Sequence, residues 1–312
     1  MSLIHKVEEA TLQYGSTSRR SIGEFILKEK SGLHRYSLQE IADKTYTSKA
    51  AVVRFAQAVG FSGWKEFVNA FTEEQSYQAQ HYTDIDANFP FTKDSRRKDI
   101  INQLCSLQVE SLLDTADLLD KAPLDECAAL LLGSRRVAMF GLNPNLALAE
   151  MFKRKMLSIG RQVELPNLGD VGLLAHSLDK YDCAVIISYS GNSPTGALSV
   201  LPTLKQRNVP IIGITSVGDN LLRQKADYTL SISSYERLYS KISTFGTENS
   251  ILFILNVLFS ICFAADYDAN LERKISTARE LEATRQTNEQ TLREDAFRLP
   301  ENAMPDTPMI QT

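Results

Sequence analysis

The chain holds one tryptophan, four histidines and four cysteines in 312 residues, and its formal net charge is only −4. Each scarcity removes a class of function. Cys105, Cys127, Cys183 and Cys262 form no C-x-x-C pair and stand mostly in apolar surroundings, as the buried reduced thiols of a cytoplasmic protein do. The histidines do not cluster with carboxylates or cysteines at ligand spacing, so no metal and no cofactor is expected. The slightly acidic balance excludes a globally basic nucleic-acid coat, so any contact with nucleic acid must be local. Long apolar runs are scarce as well. The first residues, MSLIHKVEEA, lack a signal core, and the most hydrophobic stretch, residues 251–265, falls short of the roughly 20 residues that a membrane span needs. A buried helix and no membrane partner are expected there.

What is present reads as two units, since single cores run to about 100–200 residues. From Ser21 to about Phe71 the pattern is helical with short loops, and residues 72–98 lose apolar periodicity. The expected division is a DNA-binding unit over 1–77, a linker over 78–98, an α/β unit with leading helices over 99–270, and a charged helical extension with a disordered tail over 271–312. Within the α/β unit, strand-like runs at 137–140, 184–188, 210–215 and 228–232 alternate with helical stretches at 146–159 and 195–207. That alternation predicts a parallel sheet flanked by helices, behind an all-α first domain.

Residues 187–195, ISYSGNSPT, follow the apolar run Ala184, Val185 and Ile186. A strand-to-helix loop of this kind lies where parallel sheets bind ligands. Ser188, Ser190 and Ser193 offer hydroxyl donors, Gly191 permits a tight turn, and Pro194 suits a first helical turn. Free amides near Asn192 and Ser193, together with a helix dipole, favour an anion. The same residues also suit an ordinary N-cap and turn, and local chemistry leaves both readings open.

The stretch at 36–67 contains two helix openings, Ser37 with Glu40 as a capping box, and Thr47 or Ser48 ahead of Lys49. Ile41, Ala42, Val52 and Phe55 are spaced so that two helices cross through a short turn. Lys49, Ala50, Val53, Arg54 and Gln57 are then left for the outer face of the second helix, where they could read a major groove. Ser37, Ser48, Lys65 and the helix amino termini would anchor phosphates. A helical hairpin with a solvated charged face fits the same pattern.

Both segments resemble known families. S-x-S-G-x-[ST] after an apolar strand is similar to the phosphate loop of the sugar isomerase (SIS) domain, and residues 137–150 and 212–227 look like its other two loops. Residues 1 to about 75 resemble the DNA-binding domain of RpiR-type phosphosugar-responsive regulators, through Ser37–Ala42, Ser48–Phe55 and the GFSGWKEF run from Gly60 to Phe67. Two departures stand out. Gly141, Asn143 and Asn145 replace the family's G-x-G-x-S, and Tyr46 occupies a turn position that is often glycine. The resemblance implies a transcriptional regulator that binds operator DNA as a homodimer or homotetramer. It further implies that a phosphorylated sugar lies between 188–193 and 141–145, with Glu236 approaching it. The alternative is a sugar-phosphate isomerase or lyase using His176, Glu236 or Lys241 as base, with an accessory helical domain. A lone histidine such as His176 in a helical stretch is a weak base candidate.

Overall fold

The computed structural model describes residues 3, 7, 10, 11, 17–81, 85–167, 169–233, 235–282 and 284. The chain divides into two compact units, the first made of residues 1–119, 216–219 and 231–250 and the second of the remainder. The tail expected to be disordered lies outside the described residues, apart from the helix noted below.

The first unit begins with α1 (Thr17–Glu29), a 3₁₀ segment (Lys30–Arg35), α2 (Leu38–Lys44), α3 (Lys49–Ala58) and α4 (Trp64–His81). Ile22, Ile26, Leu33, Ile41, Val52, Phe55, Phe67 and Phe71 form its core, and Ala42, small and buried, lets α2 and α3 approach. Phe67 stacks on Phe71 with ring centroids 5.5 Å apart and lies 5.2 Å from Trp64. Each such side chain contributes about 1.5–3 kcal/mol by leaving water. Glu66 reaches back to the Ser62 N–H and hydroxyl at 2.9 and 2.5 Å, fixing the start of α4. α4 runs on to His81, beyond the point where its apolar spacing fades. Its later residues, EEQSYQAQH, include two Glu and three Gln, which favour helix after the apolar spacing has stopped.

α5 (Arg97–Asp117) also belongs to this unit. It carries Cys105, which is exposed, against the expectation that all four thiols are buried. Cys105 faces outward on α5, whose buried positions are Leu107, Ser111 and Thr115.

The second unit contains α6 (Lys121–Gly133), β1 (Val137–Gly141), α7 (Asn143–Ser158), β2 (Val163–Glu164), α8 (Val171–Ser177), β3 (Cys183–Ile187), a 3₁₀ turn (Gly196–Val200) and α9 (Leu201–Gln206). β4 (Ile211–Ser216), α10 (Leu221–Lys225), β5 (Tyr228–Ile232), α11 (Phe245–Ala264) and α12 (Tyr267–Leu281) follow, although Ser216, the last two residues of β5 and residues 245–250 of α11 fall in the first unit. The five strands stand in the order β2-β1-β3-β4-β5, and the pairs β1/β2, β1/β3 and β3/β4 are parallel. β1 and β3 are fully buried apart from Gly141 at the end of β1, which accounts for their unbroken apolar runs. At their amino ends, the buried Asp182 carboxylate receives Arg135 at 2.9 and 3.0 Å and Arg136 at 2.9 and 3.3 Å. Burial pushes that carboxyl up, but the two guanidinium groups outweigh it and hold it well below the usual range. Cys127 and Cys262 are pushed up to about 12 and about 11 by burial, and Cys183 is raised too, so these thiols are inert.

Two helix expectations need correction. The stretch at 251–265 belongs to a longer helix, α11, whose 20 residues are long and apolar enough by composition to cross a membrane. Length therefore does not exclude a span. α11 buries one stripe of its surface, formed by Ile251, Ile254, Leu255, Leu258 and Cys262. The helix expected from Thr195 is instead a 3₁₀ turn from Gly196 leading into α9 from Leu201. Gly196 at φ 68° interrupts α geometry, so Pro194 lies in a turn ahead of it and not in a first helical turn.

Candidate functional site

The sheet order fixes where a ligand can enter. β1 connects to β2 on one side, while β3 lies on its other side, so the order of connection reverses between the parallel strands β1 and β3. Ligands of open α/β sheets occupy that crevice, at the carboxyl ends of the strands. Gly141 and Ile187 are register partners there, so the loops that begin at 142 and 188 leave the sheet side by side. Asn145 ties them together, its amide donating to the Ile187 carbonyl at 3.3 Å. A Cβ on Gly141 would stand 3.2 Å from the Asn145 Cβ, which explains a glycine at this close approach.

The 188–193 loop is held from below. The Ser188 N–H donates to the Ile214 carbonyl at 3.0 Å, and its hydroxyl accepts from the Gly191 N–H at 3.3 Å. Gly191, at φ 63°, packs so tightly that a Cβ would lie 2.2 Å from Asn220 Oδ1 and 2.6 Å from Thr215 Oγ1. Asn192 Oδ1 accepts from the Leu221 N–H at 2.9 Å, and the Ser193 and Thr195 hydroxyls are 3.1 Å apart. Among the described residues, the half-buried Ser190 hydroxyl and the backbone N–H groups of Asn192 and Ser193 carry no hydrogen bond. These donors, half-buried at Ser190 and exposed at Asn192 and Ser193, are available to an anion. The full α-helix dipole expected behind the loop is absent, because the element there is the short 3₁₀ turn. Asn143 is exposed at the first turn of α7, where the N–H groups also lack intrahelical partners.

Glu236 is neither a surface carboxylate nor an open ligand. It is buried, and its oxygens accept from the Gly246 N–H at 2.6 Å, the Thr247 N–H at 3.2 Å and the Thr247 hydroxyl at 2.7 Å. Lys241 Nζ stands 3.4 Å away. This arrangement caps the amino end of α11. The capping partners lie 10 and 11 residues downstream, a separation that sequence reading of capping boxes does not cover. His176 is exposed on α8. Lys241 donates to Glu236 at 3.4 Å, so these two candidate bases are bonded to each other.

Two clefts in the second unit lie elsewhere. One, of about 510 Å³, is lined by Gly133, Arg135, Tyr181 and Asp182 at the amino ends of β1 and β3, opposite to where parallel sheets take ligands. The other, of about 550 Å³, lies beside Lys153, Val163 and Asp170. Neither includes the unpaired donors at 190–193. Among the described residues no group of three His, Cys, Asp or Glu stands close enough to hold a metal ion.

In the first unit the capping box is reciprocal: Ser37 Oγ accepts from the Glu40 N–H at 3.2 Å and Glu40 accepts from the Ser37 N–H at 2.7 Å. The Ser37 N–H, followed by the Ser37 hydroxyl, holds the Glu40 carboxyl below its usual range. Ser48 caps α3 by accepting from the Ala51 N–H at 3.2 Å. The turn joining α2 to α3 closes with Thr47 N–H to Ala42 carbonyl at 2.8 Å and Tyr46 N–H to Asp43 carbonyl at 3.2 Å, a Schellman motif with Tyr46 at φ 53°. Lys49, Ala50, Arg54 and Gln57 are exposed together along α3, and Lys65 is exposed at the start of α4. Val53 departs from the expected outer face, because it follows the buried Val52 by one residue and packs, half-buried, on the core.

These geometries can be set beside known proteins. A family model for the helix-turn-helix domain of the rpiR family matches residues 1–78, and one for the SIS domain matches residues 130–254. An uncharacterised HTH-type transcriptional regulator of Haemophilus influenzae is 26% identical over 83% of this chain and 90% of its own. One from Clostridium perfringens is 22% identical over 89% of this chain and 98% of its own. Among solved structures, the Vibrio vulnificus NanR protein complexed with ManNAc-6P superposes with a TM-score of 0.55 at 17% identity, covering 92% of this chain and all of that one. The sugar isomerase domain of an RpiR transcription factor from Sphaerobacter thermophilus covers 57% of this chain and 98% of its own, with a TM-score of 0.51 at 14% identity. The chain therefore carries an rpiR-family helix-turn-helix domain followed by a SIS domain, and the relatives it matches along most of its length are HTH-type transcriptional regulators.

Proposed function

We propose that this regulator binds a phosphorylated sugar at the β1/β3 crevice and that occupancy alters its affinity for operator DNA. The observation that carries the reading is the set of unpaired donors, Ser190 Oγ and the Asn192 and Ser193 amides, at the carboxyl end of a central strand. Backbone amides and a hydroxyl in a turn suit a phosphate better than an uncharged sugar. Ser188, Gly191, Gly141, Asn143 and Asn145 form the rest of the proposed effector site, with the asparagine amides facing sugar hydroxyls. The Vibrio vulnificus NanR structure, of the same fold, was obtained with ManNAc-6P, which supports a phosphosugar as the class of effector. Glu236 contributes through α11, whose first turn it holds.

DNA is read by Lys49, Ala50, Arg54 and Gln57 in a major groove, with Ser37, Ser48 and Lys65 on phosphates. One such face makes few phosphate contacts, so a homodimer or homotetramer binds paired half-sites in the cytoplasm. The half-exposed apolar side chains Leu252, Phe253, Val257 and Ile261 of α11 are the surface we assign to contact between copies. Regulation follows from differential effector affinity for two arrangements of the paired domains.

The test is a panel of sugar phosphates added to the purified protein while its melting temperature and any turnover are followed. A melting shift of several degrees with one phosphorylated sugar, absent with the unphosphorylated sugar and without turnover, is expected. Turnover, or no shift across the panel, would contradict the proposal.

A further inference from the structure

The side chain of Tyr46 has no role in the fold of the first unit. It is 97% exposed and holds φ at 53°, a left-handed conformation that costs a non-glycine residue about 1 kcal/mol or more. Among the described residues its side chain makes no hydrogen bond or ring contact, so only the backbone bonds of the Schellman turn offset the strain. Its surroundings are rigid. Thr45, 5% exposed, bonds the Ile41 carbonyl at 2.7 Å and the Thr47 hydroxyl at 2.8 Å, and the Schellman bonds close the turn beneath the ring. The ring therefore projects from a fixed base. It stands two residues before the Ser48 cap of α3 and three before the exposed Lys49.

From this we infer that Tyr46 contacts the DNA backbone, its phenolic hydroxyl donating to a phosphate oxygen at the lip of the major groove. The inference rests on the DNA reading above. When a second helix enters a groove by its amino-terminal residues and the first crosses the backbone, the turn between them comes down on the phosphates that flank the groove. Tyrosine hydroxyls are among the groups that make such contacts. A side chain that strains the free protein and meets nothing in it gains its partner on binding.

A sequence-independent contact needs no known operator. A fluorescent 30-base-pair duplex of random sequence, titrated with the full-length protein over a series of salt concentrations, reads it directly. Y46G is expected to bind about 5- to 10-fold more weakly at every salt concentration, Y46F about 5-fold. The slope of log affinity against log salt should be unchanged, because a neutral phenol displaces no counterion. Lys65→Ala should instead flatten that slope by about one. Y46G should melt no lower than the wild type, since glycine accepts this φ freely. Y46G or Y46F binding as tightly as wild type would overturn the Tyr46 contact while leaving the DNA reading intact. Wild-type protein that ignores the duplex even at low salt would remove the DNA reading itself, and this contact with it.

Discussion

Replacing Glu236 separates the effector-binding role that the family resemblance implied from the helix cap that the structure shows. The carboxylate accepts the Gly246 and Thr247 N–H groups and the Thr247 hydroxyl, all buried, and stands beside Lys241, whose side chain is 12% exposed. Losing an N-cap costs about 1–2 kcal/mol, and a carboxylate at a partly buried helix terminus adds up to about 2 kcal/mol through the dipole. These contributions overlap, so Glu236→Ala should cost about 2–3 kcal/mol locally. Because about 1.4 kcal/mol is tenfold in an equilibrium, the Gly246 and Thr247 amides should exchange with solvent deuterium about 30- to 150-fold faster. Glu236→Gln keeps an acceptor for the two amides but turns an NH₂ group toward Lys241, and should cost about half as much. The assay is amide exchange read by mass spectrometry on peptides covering 236–250, with the urea midpoint as a global control. Unchanged exchange in Glu236→Ala, combined with lost phosphosugar binding, would refute the cap and restore a direct ligand role.

Other perturbations follow from the same geometry. Ser190→Ala removes a donor with no protein partner, so it should weaken phosphosugar binding by about 1–2 kcal/mol in a calorimetric titration while leaving stability unchanged. Gly191→Ala forces a Cβ onto Asn220 and Thr215 at positive φ and should cost more than about 1 kcal/mol of stability as well as effector binding, seen as a lowered melting temperature. Asp182→Asn strips charge from a carboxylate held between Arg135 and Arg136 and should cost about 2–4 kcal/mol at neutral pH. Its folded carboxyl lies below the unfolded range, so the wild-type advantage is complete above about pH 4–5 and fades as pH falls toward the folded value. Urea midpoints of the two proteins should therefore converge in acid. Arg54→Ala should weaken operator binding by about 1–3 kcal/mol in a gel-shift titration without altering the fold.

The strands of the sheet were legible because β1, β3 and β4 are buried runs with helices between them, and such runs have few alternative foldings. β2 was missed, being only Val163 and Glu164, too short to show a pattern. The turn at 45–48 and the capping box at 37–40 were readable from local chemistry that needs no distant partner. The extension of α4 to His81 was not, because helix propensity continued after amphipathic periodicity had stopped. The serine loop was legible as a donor-rich turn, yet the 3₁₀ start at Gly196 depended on a positive φ that Pro194 and Thr195 did not announce. The burial and capping of Glu236 were not legible, for a tertiary reason. Its partners are backbone amides brought to it by the loop from 235 to 245, and no residue type in that loop advertises the bond.

The most direct measurement is fluorescence anisotropy of the duplex upstream of the regulator's own gene, titrated with protein in the presence and absence of each sugar phosphate at fixed salt. At least one phosphorylated sugar should move the binding midpoint by about 5-fold or more, a coupling of about 1 kcal/mol, and Ser190→Ala should demand a proportionately higher concentration of it. If every sugar phosphate left the midpoint in place while the protein still bound that duplex tightly, the crevice between β1 and β3 would not be the sensor.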